Sequence, residues 1–516
     1  MNLAKLAEEA LQRLGERMTL DFEGEQFTNV QMLDWARRLQ RTFSRLGLRR
    51  GDIAAMYLFN HPLVYPVFGG IFRAGATALP VMFVLTPPEL RYVLADSRAK
   101  GVITDGMGIN RVREAIEGLD HIEWILVLGG EEAIEASPPE YRLETLLEDE
   151  PETTLSDIDE DGVALMLYTA GTTGKPKGVM LTHANLYASA DAVAEADEMD
   201  RYDSLRISMS AMPMAHIFGV GVMNIGYLTP ARLADSYGVQ MAWFEPERFM
   251  QLIQEHRCNA MVAVPTMLIM ILNHDKADQY DLSSLMEVVC GAAPLPVEIA
   301  KAFMERYGCR IREIYGQTES TGLGSANRFS EPYLPGSAGR AYYNTELRIF
   351  DANDNPLPPG GRGEIVLRGP SIMKGYYNRP EATAEALRNG WLHTGDIGYL
   401  DERDHLFIVD RKKDLIIRGG ENIFPAELED ILFEHASIAE AAVVGAPDDV
   451  YGEKVIAYVV TKPGEEIPEQ EVINFIKDRT SSFKAPERVF FIDALPKSPV
   501  GKVLRRKLRD RAAEEL

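Results

Sequence analysis

A segment rich in glycine, threonine and lysine follows an apolar run at the end of the first third of the chain. Residues 168–179 read Tyr-Thr-Ala-Gly-Thr-Thr-Gly-Lys-Pro-Lys-Gly-Val and come directly after residues 163–167, Val-Ala-Leu-Met-Leu. The apolar run predicts a buried strand, and the segment after it predicts a loop. Glycines let backbone N–H groups face an anion, while hydroxyl and ammonium groups add donors and charge. We therefore predict a polyphosphate-binding loop; its spacing is not that of a Walker loop, and a plain turn is the alternative.

Further motifs with polar residues at short spacing recur through the rest of the chain. In order they are 212–219 Met-Pro-Met-Ala-His-Ile-Phe-Gly, 291–295 Gly-Ala-Ala-Pro-Leu, 315–319 Tyr-Gly-Gln-Thr-Glu, 394–396 Thr-Gly-Asp, 410–414 Asp-Arg-Lys-Lys-Asp, 419–425 Gly-Gly-Glu-Asn-Ile-Phe-Pro and 496–502 Pro-Lys-Ser-Pro-Val-Gly-Lys. In type and order they resemble the motifs of the acyl-adenylate-forming superfamily, which includes AMP-dependent acyl-CoA synthetases, luciferases and peptide-synthetase adenylation domains. The resemblance extends from about residue 25 to the end of the chain.

The resemblance implies ATP-dependent activation of a carboxylic acid to an acyl-adenylate and pyrophosphate, followed by transfer of the acyl group to coenzyme A. Amino-acid-activating relatives carry an aspartate near the position of residues 215–221, where this chain has Ala-His-Ile-Phe-Gly-Val-Gly. We therefore expect a hydrophobic acid without an α-amine, such as a medium- or long-chain fatty acid. The alternatives are an aryl or branched acid–CoA ligase, a ligase that loads a carrier protein, a luciferase-like oxygenase and a non-catalytic nucleotide-binding protein.

Charged residues in these motifs match the family's catalytic positions. Lys502 matches the lysine whose flexible ammonium bridges the substrate carboxylate and the α-phosphate, although a surface lysine in a basic tail is the alternative. Glu319 matches a Mg²⁺ ligand, with the Thr169 hydroxyl as a second ligand, because a carboxylate beside a triphosphate is favourable when it holds a hard cation. Thr318 matches a contact to the α-phosphate.

Asp396 and Arg411 match positions that bind the nucleotide. An ionised aspartate can accept hydrogen bonds from both ribose hydroxyls, and arginine offers a fork of donors to ribose or phosphate. The full set of predicted ATP- and AMP-binding residues is Thr169, Gly171, Thr172, Thr173, Gly174, Lys177, Tyr315, Gly316, Gln317, Thr318, Asp396, Arg411 and Lys502. Ala170 departs from the family pattern, which has serine there. The missing hydroxyl is worth about 0.5–1.5 kcal/mol of phosphate binding.

His216 matches a gate between the ATP and acyl sites, although a lone histidine on an apolar segment is more often a core residue. The predicted acyl-binding residues are His216, Phe218, Gly219, Gly291, Ala292 and Ala293. The predicted CoA-binding residues are Gly419, Gly420 and Glu421, whose glycines allow close approach of the pantetheine arm. Lys413 matches the family's hinge position, about which the C-terminal domain would rotate between the two steps.

Composition and charge exclude several other classes of protein. The net charge of −24 over 516 residues argues against a nucleic-acid-binding surface, which needs a basic footprint. Three cysteines without Cys-x-x-Cys spacing exclude a disulfide scaffold and a zinc site, and they fit a reducing cytoplasm. We find no signal peptide and no uninterrupted apolar segment that would form an integral membrane helix. The oligomeric state is left open between a monomer and a homodimer.

The order of strand and helix patterns predicts an α/β protein of two domains. Apolar runs at 53–58, 82–85, 101–104 and 124–128 predict strands, and helical periods between them favour parallel sheets covered by helices. Alternating segments between 337 and 409 predict a small β-barrel. We assign residues 1–410 to an N-terminal adenylation domain of two parallel-type sheets plus this barrel. Residues 411–516 are assigned to a small, mobile α+β C-terminal domain.

Overall fold

The computed structural model describes residues 3–129, 137–159, 161–169, 175–198, 206–221, 236–448, 450–497 and 502–515. Its strands form four sheets, numbered below in chain order. Most of the apolar residues buried between these sheets and their helices are β-branched or leucine, as expected for sheets that are covered on both faces.

The first sheet has nine strands. They are β1 (Met18–Phe22), β2 (Glu25–Thr28), β10 (Ile207–Ser210), β11 (Tyr237–Gln240), β12 (Ala260–Ala263), β13 (Glu287–Cys290), β14 (Arg310–Tyr315), β15 (Ser325–Ala326) and β16 (Arg340–Ala341). Their order is β16-β15-β14-β13-β12-β10-β11-β1-β2, and the six strands from β14 to β1 are parallel. The carboxyl ends of these parallel strands therefore lie along one edge.

The second sheet has eight strands. They are β3 (Ile53–Tyr57), β4 (Thr77–Pro80), β5 (Gly101–Asp105), β6 (Trp124–Leu128), β7 (Glu140–Arg142), β8 (Val163–Thr169), β9 (Lys177–Thr182) and β19 (Gly375–Tyr376). The order is β19-β9-β8-β4-β3-β5-β6-β7, with β8 to β7 parallel and β8–β9 an antiparallel hairpin. The two parallel-type sheets that we predicted are confirmed.

Helices cover these sheets and connect their strands. They are α1 (Leu3–Leu14), α2 (Asn29–Arg45), α3 (Val64–Arg73), α4 (Pro87–Ser97), α5 (Ile109–Ile116), α6 (Leu143–Leu146), α7 (His183–Ala196), α8 (Pro246–His256), α9 (Pro265–Leu272), α10 (Val297–Tyr307), α11 (Pro380–Ala386), α12 (Pro425–Phe433), α13 (Glu469–Lys477) and α14 (Arg505–Glu515). Capping boxes at Thr28 and Thr182 begin α2 and α7. Among the described residues, no helix has the length and apolar character needed to cross a membrane.

The segment that we expected to form a barrel is an open antiparallel sheet. Its strands are β17 (Glu346–Phe350), β18 (Gly363–Arg368), β20 (Leu392–Leu400) and β21 (Leu406–Arg411), paired in the order β17-β18-β20-β21. The described residues contain no pairing between β17 and β21 that would close it. The barrel prediction was wrong because alternation along a strand is the same in an open sheet and in a barrel.

The fourth sheet is built only from residues after Arg411. Its strands are β22 (Ile416–Arg418), β23 (Glu421–Ile423), β24 (Ile438–Asp448), β25 (Gly452–Thr461) and β26 (Arg488–Phe491). Buried residues of these strands and of α12 and α13 form a core of their own. Among the contacts that join this region to the preceding sheet, the N–H of Ala426 donates to Asp410 (3.0 Å), and Arg362 pairs with Glu427 (3.0 Å).

Candidate active site

Tight loops at the carboxyl ends of strands carry several of the predicted residues. Strand β8 ends at Thr169, and strand β14 ends at Tyr315 and leads into the turn at 316–319. A Cβ at Gly316 would lie 2.1 Å from the carbonyl oxygen of Gly322, so the turn after β14 requires glycine. The backbone of Ala292 has a positive φ, a left-handed conformation that is strained for alanine. The polar side chains are therefore presented by turns whose backbone is closely constrained.

A cavity of about 260 Å³ lies where these turns face the C-terminal region. We call it the charged cavity; among its lining residues are Ala292, Tyr315, Asp396, Arg411 and Lys502. These residues come from separate stretches of the chain. The structure thus brings together the predicted ribose acceptor, the predicted arginine and the predicted C-terminal lysine.

Asp396 is a firmly held carboxylate of the charged cavity. The Tyr315 hydroxyl donates to Oδ2 (2.8 Å), and Arg411 Nε lies 3.0 Å from Oδ1. The residue is 5% exposed. A carboxylate has about four acceptor sites, so these two partners leave capacity for a further pair of donors. Asp396 is thus fixed in orientation and can still accept hydrogen bonds from a ligand.

Lys502 lines the same cavity on the side of the C-terminal segment. Burial lowers the pKa of its ammonium from an ordinary value of 10.5 to about 8, and the neighbouring charges of Arg411 and Lys413 act in the same direction. The carboxylates of Asp396 and Asp414 oppose this change in the pKa. Because burial beside two other cations disfavours the charged form, an anionic ligand in the cavity would stabilise it.

His216 follows strand β10 and lies beside the charged cavity in a neutral form. Burial, with a smaller contribution from the charge of Lys502, lowers its pKa to about 4. Its Nδ1 accepts a hydrogen bond from the N–H of Phe218 (3.2 Å), so the ring proton is on Nε2. The backbone turn around it is tight, since a Cβ at Gly219 would lie 2.2 Å from the Pro213 oxygen. His216 is therefore a positioned neutral donor at neutral pH.

Glu319 lies at a second polar cluster, at the end of the β8–β9 hairpin. The hydroxyls of Thr169 and Tyr376 donate to its Oε1 at 3.3 and 3.0 Å. Lys177 places its ammonium 4.9 Å from the centre of the Tyr376 ring. The predicted metal ligands Glu319 and Thr169 are thus in contact, and Lys177 lies beside them.

Tyr376 was not among the residues predicted from sequence. It lies on β19, which pairs with β9 so that Tyr376 is opposite Val179. That pairing joins segments that are far apart in the sequence, so no local pattern could have indicated it. Burial raises the pKa of the Tyr376 hydroxyl, and the charge of Glu319 adds to the shift, so it remains a hydrogen-bond donor.

Part of the predicted phosphate loop lies outside the described residues. This applies to Ala170, Gly171, Thr172, Thr173 and Gly174, and also to Gly501. Gln317, two residues after the end of β14, has a buried Nε2 without a hydrogen-bond partner in the described part of the chain. Such a buried donor costs free energy when it is unpaired, so it favours an acceptor supplied by a ligand.

A second cavity, of about 170 Å³, lies behind His216 and shares only Ile314 with the charged cavity. We call it the inner cavity. Its walls include Ile217, Phe218, Val262 and Leu323, and hydroxyl and charged groups lie at the beginnings of β10 and β11.

Three of the six predicted acyl-binding residues line one of the two cavities, whereas His216, Gly219 and Gly291 line neither. Phe218 lines the inner cavity, whereas Ala292 and Ala293 line the charged cavity. Gly291 serves close packing, because a Cβ there would lie 2.6 Å from Ile314.

The predicted CoA-binding residues lie elsewhere. Gly419 and Gly420 form the turn between β22 and β23 with positive φ at both residues, and neither they nor Glu421 line the charged cavity. Lys413 lies in the short turn between β21 and β22. In this conformation, Lys502 lines the charged cavity and the turn of glycines does not.

Comparison with known proteins gives matches over nearly the whole chain. Residues 7–377 match the family model of AMP-binding enzymes, and residues 427–502 match that of the AMP-binding enzyme C-terminal domain. A long-chain-fatty-acid–CoA ligase of Bacillus subtilis is 33% identical, over 99% of this chain and 95% of the relative. A feruloyl-CoA synthase of Amycolatopsis is 34% identical, over 95% of this chain and 94% of the relative. The ATP-bound crystal structure of MatB from Rhodopseudomonas palustris superposes with a TM-score of 0.89 at 27% identity, over all of both chains.

Proposed function

The chain belongs to the family of AMP-binding enzymes, and on that premise we propose that it makes acyl-CoA thioesters from carboxylic acids by way of an acyl-adenylate. The observation that carries the proposal is the convergence of Asp396, Arg411 and Lys502 on one cavity. An anionic nucleotide suits this set of a fixed acceptor and two cations. The CoA ligases among the relatives support the acid–thiol ligase activity.

In the first step, a carboxylate oxygen bonds to the α-phosphorus of ATP while the bond from phosphorus to the bridging β-phosphate oxygen breaks, releasing pyrophosphate. Two anions must meet, so positioned cations and donors lower the barrier most. Lys502 supplies the cation between carboxylate and α-phosphate, and Thr318 donates to that phosphate. These two groups therefore act where negative charge accumulates.

The remaining nucleotide contacts hold the ribose and the base. Asp396 accepts from the ribose hydroxyls, and Arg411 holds Asp396 and reaches the nucleotide. Tyr315 and Gly316 form part of the wall around the base. The buried Nε2 of Gln317 donates a hydrogen bond to the ligand. The side chains that bind the nucleotide are thus separate from those that act on the α-phosphate.

The residues around Glu319 fit a magnesium ion. Glu319 and Thr169 provide a carboxylate and a hydroxyl oxygen in mutual contact, the kind of donor that Mg²⁺ takes when phosphates and water complete its shell. When bound, the ion would neutralise phosphate charge. Lys177 adds a protein cation on the same side of the site.

The acid that we propose is hydrophobic, with a medium- or long-chain fatty acid as the first choice. Ile217, Phe218, Val262 and Leu323 give the inner cavity apolar walls directly behind His216, whose neutral ring would separate the nucleotide from the acyl chain. The fatty-acid ligase of Bacillus subtilis supports this choice. An aryl acid is the second candidate, because a feruloyl-CoA synthase is similarly related and hydroxyl groups line part of the same cavity.

In the second step, the thiol sulfur of coenzyme A bonds to the acyl carbon, the bond from that carbon to the AMP oxygen breaks, and the thiol proton is lost. Lys502 would obstruct the thiol if it stayed beside the acyl-adenylate. We propose that residues after Arg411 rotate about Lys413 and bring Gly419, Gly420 and Glu421 to the pantetheine arm. The exposed turn of glycines leaves room for such an approach.

Two readouts on one panel of acids test this function. Purified protein with ATP and Mg²⁺ should release pyrophosphate with octanoate or palmitate, and added CoA should lose free thiol in proportion. Pyrophosphate release without loss of thiol would exclude CoA as acceptor and favour a carrier protein or an oxygenase. Release only with hydroxycinnamic acids would favour the aryl acid.

A further inference from the structure

A third cavity, of about 160 Å³, lies beneath helix α1 near the N-terminus. We call it the N-terminal cavity. Its lining is mainly apolar and includes several small residues, among them Ala4, Ala7, Ala36 and Gly69. Unfilled apolar space forfeits the contacts that its walls would otherwise make, so close-packed cores rarely retain it without a use.

The N-terminal cavity shares three residues with the inner cavity: Arg17, Thr19 and Gly238. Gly238 pairs with Leu20 of β1 on one side and Ser208 of β10 on the other. A Cβ built at Gly238 would meet no described atom within 4 Å. This glycine is in a strand, where a side chain would normally pack, so the missing side chain leaves an opening between the two cavities.

The opening lies at the far end of the inner cavity from the charged cavity. Ile217 and Phe218, next to His216, line one end, and Ser236, Tyr237 and Gly238 line the other. Strands β10 and β11 have four residues each. That length corresponds to roughly 13 Å of strand. Only a long ligand that begins at His216 would therefore reach Gly238.

Helix α1 is fastened over the N-terminal cavity by ion pairs. Glu8 accepts from Arg73 (2.6 Å) and pairs with Arg37, and Arg73 also donates to Gln40 (2.8 Å). Arg73 is 1% exposed and lines the cavity. The helix is thus held at a fixed distance from α2 and α3 while small residues leave space beneath it.

We propose that the distal part of a long, unbranched acyl chain passes Gly238 and occupies the N-terminal cavity. The proposal rests on the proposed function and names its substrate class: the long-chain fatty acids, whose tails exceed the inner cavity. Arg17 and Thr19 line both cavities and therefore border the opening together with Gly238. An acid of octanoate length would end within the inner cavity.

Two substitutions should shorten the accepted chain at different points. Gly238→Val narrows the opening in a strand position that suits a β-branched residue, and Ala7→Leu fills the far space on a helix that tolerates leucine. We expect Gly238→Val to lower kcat/KM for palmitate by about 10- to 100-fold and to leave octanoate within about twofold. Ala7→Leu should lower kcat/KM for palmitate by a smaller factor and leave kcat/KM for laurate unchanged. Equal losses for octanoate and palmitate, or an unchanged profile in both variants, would overturn the proposal.

A binding measurement keeps this test separate from turnover. Palmitic acid with a photoreactive diazirine at its methyl end, bound to the wild-type chain and irradiated, should label peptides of α1 or α2. Labelling confined to residues around Ser189 or Ser208 would overturn the proposal even if palmitate were a substrate. If no acid releases pyrophosphate but α1 is labelled, the proposed function is wrong and the proposed subsite is supported. As a control for misfolding, both variants should unfold thermally near the wild-type temperature.

Discussion

The charged cavity and the inner cavity share Ile314 of strand β14 but have different roles in the proposed function. In the first, Asp396, Arg411 and Lys502 hold perturbed or paired charges, and each comes from a short motif. In the second, Val262 and Leu323 belong to a wall of many ordinary side chains. Under the proposed function, the chemistry common to all acids would rest on a few charges, whereas the choice of acid would rest on the shape of the inner cavity. Substitutions in one cavity should therefore change one of these two functions and leave the other.

The largest effect is expected from Lys502→Ala. Removal of the ammonium should slow acyl-adenylate formation by at least about 10²- to 10³-fold, because it acts on charge that develops during attack on phosphorus. Thioester formation from acyl-AMP supplied ready-made should be spared. Pyrophosphate release and thiol consumption measure the two steps. Lys507→Ala, at an exposed lysine in the same segment, is the matched control; equal losses in both steps would exclude the single-step role.

Asp396→Ala should weaken the binding of ATP far more than the binding of the acid. The loss of a charged acceptor is worth about 1–3 kcal/mol, and Tyr315 and Arg411 would also lose their partner. Titration of ATP and of the acid separately measures the difference. Asp396→Asn should lie between Asp396→Ala and the wild type, since it keeps one acceptor oxygen. A greater loss of affinity for the acid than for ATP would contradict the ribose role.

Lys413→Pro should slow thioester formation roughly tenfold and change adenylation little. Proline restricts its own φ and the conformation of the residue before it, which would hinder rotation at the turn. The N–H groups of Lys412 and Asp414 donate to Gly395 and Arg411, so the substitution at 413 removes the donor of neither hydrogen bond. Lys412→Pro, which removes one of them, should impair both steps. Single-turnover rates of each half-reaction separate these outcomes.

The smallest effect concerns pH. Because burial lowers the pKa of Lys502 to about 8 in the nucleotide-free chain, its cation is present below that pH and lost above it. The kcat/KM for adenylation should therefore fall by up to about tenfold per pH unit above this pKa, since this parameter reports the free enzyme. Lys502→Arg, if it retains activity, should not show the fall. A wild-type profile that stays flat from neutral pH to well above this pKa would contradict the prediction.

Much of the fold and of the charged cavity could be predicted from sequence. The apolar run at 124–128 coincides with strand β6, because a short apolar run between turns is too brief for a helix. Asp396 and Lys502 were identified through motifs, and the structure does place them in one cavity.

Other features depended on contacts that a local pattern does not contain. The run at 82–85 was wrongly predicted as a strand; the strand is Thr77–Pro80. Phe83 is buried against Tyr57, on which its ring stacks, and the Tyr57 hydroxyl lies within hydrogen-bond distance of the carbonyl oxygens of Phe83 and Leu85. The opening at Gly238 requires three strands to lie side by side, which periodicity does not reveal.

The central claim is that the charged cavity carries out the reaction and the inner cavity selects the acid. Its most direct test compares how the rates of Asp396→Ala and of the wild type depend on the chain length of the acid. Thiol consumption is measured with saturated acids from hexanoate to stearate at equal, limiting ATP. We predict that every rate falls by the same factor, so that the two profiles superpose after scaling. A profile that changes shape, with the preferred acid shifted by two or more carbons, would show that the charged cavity also selects the acid and would contradict the account.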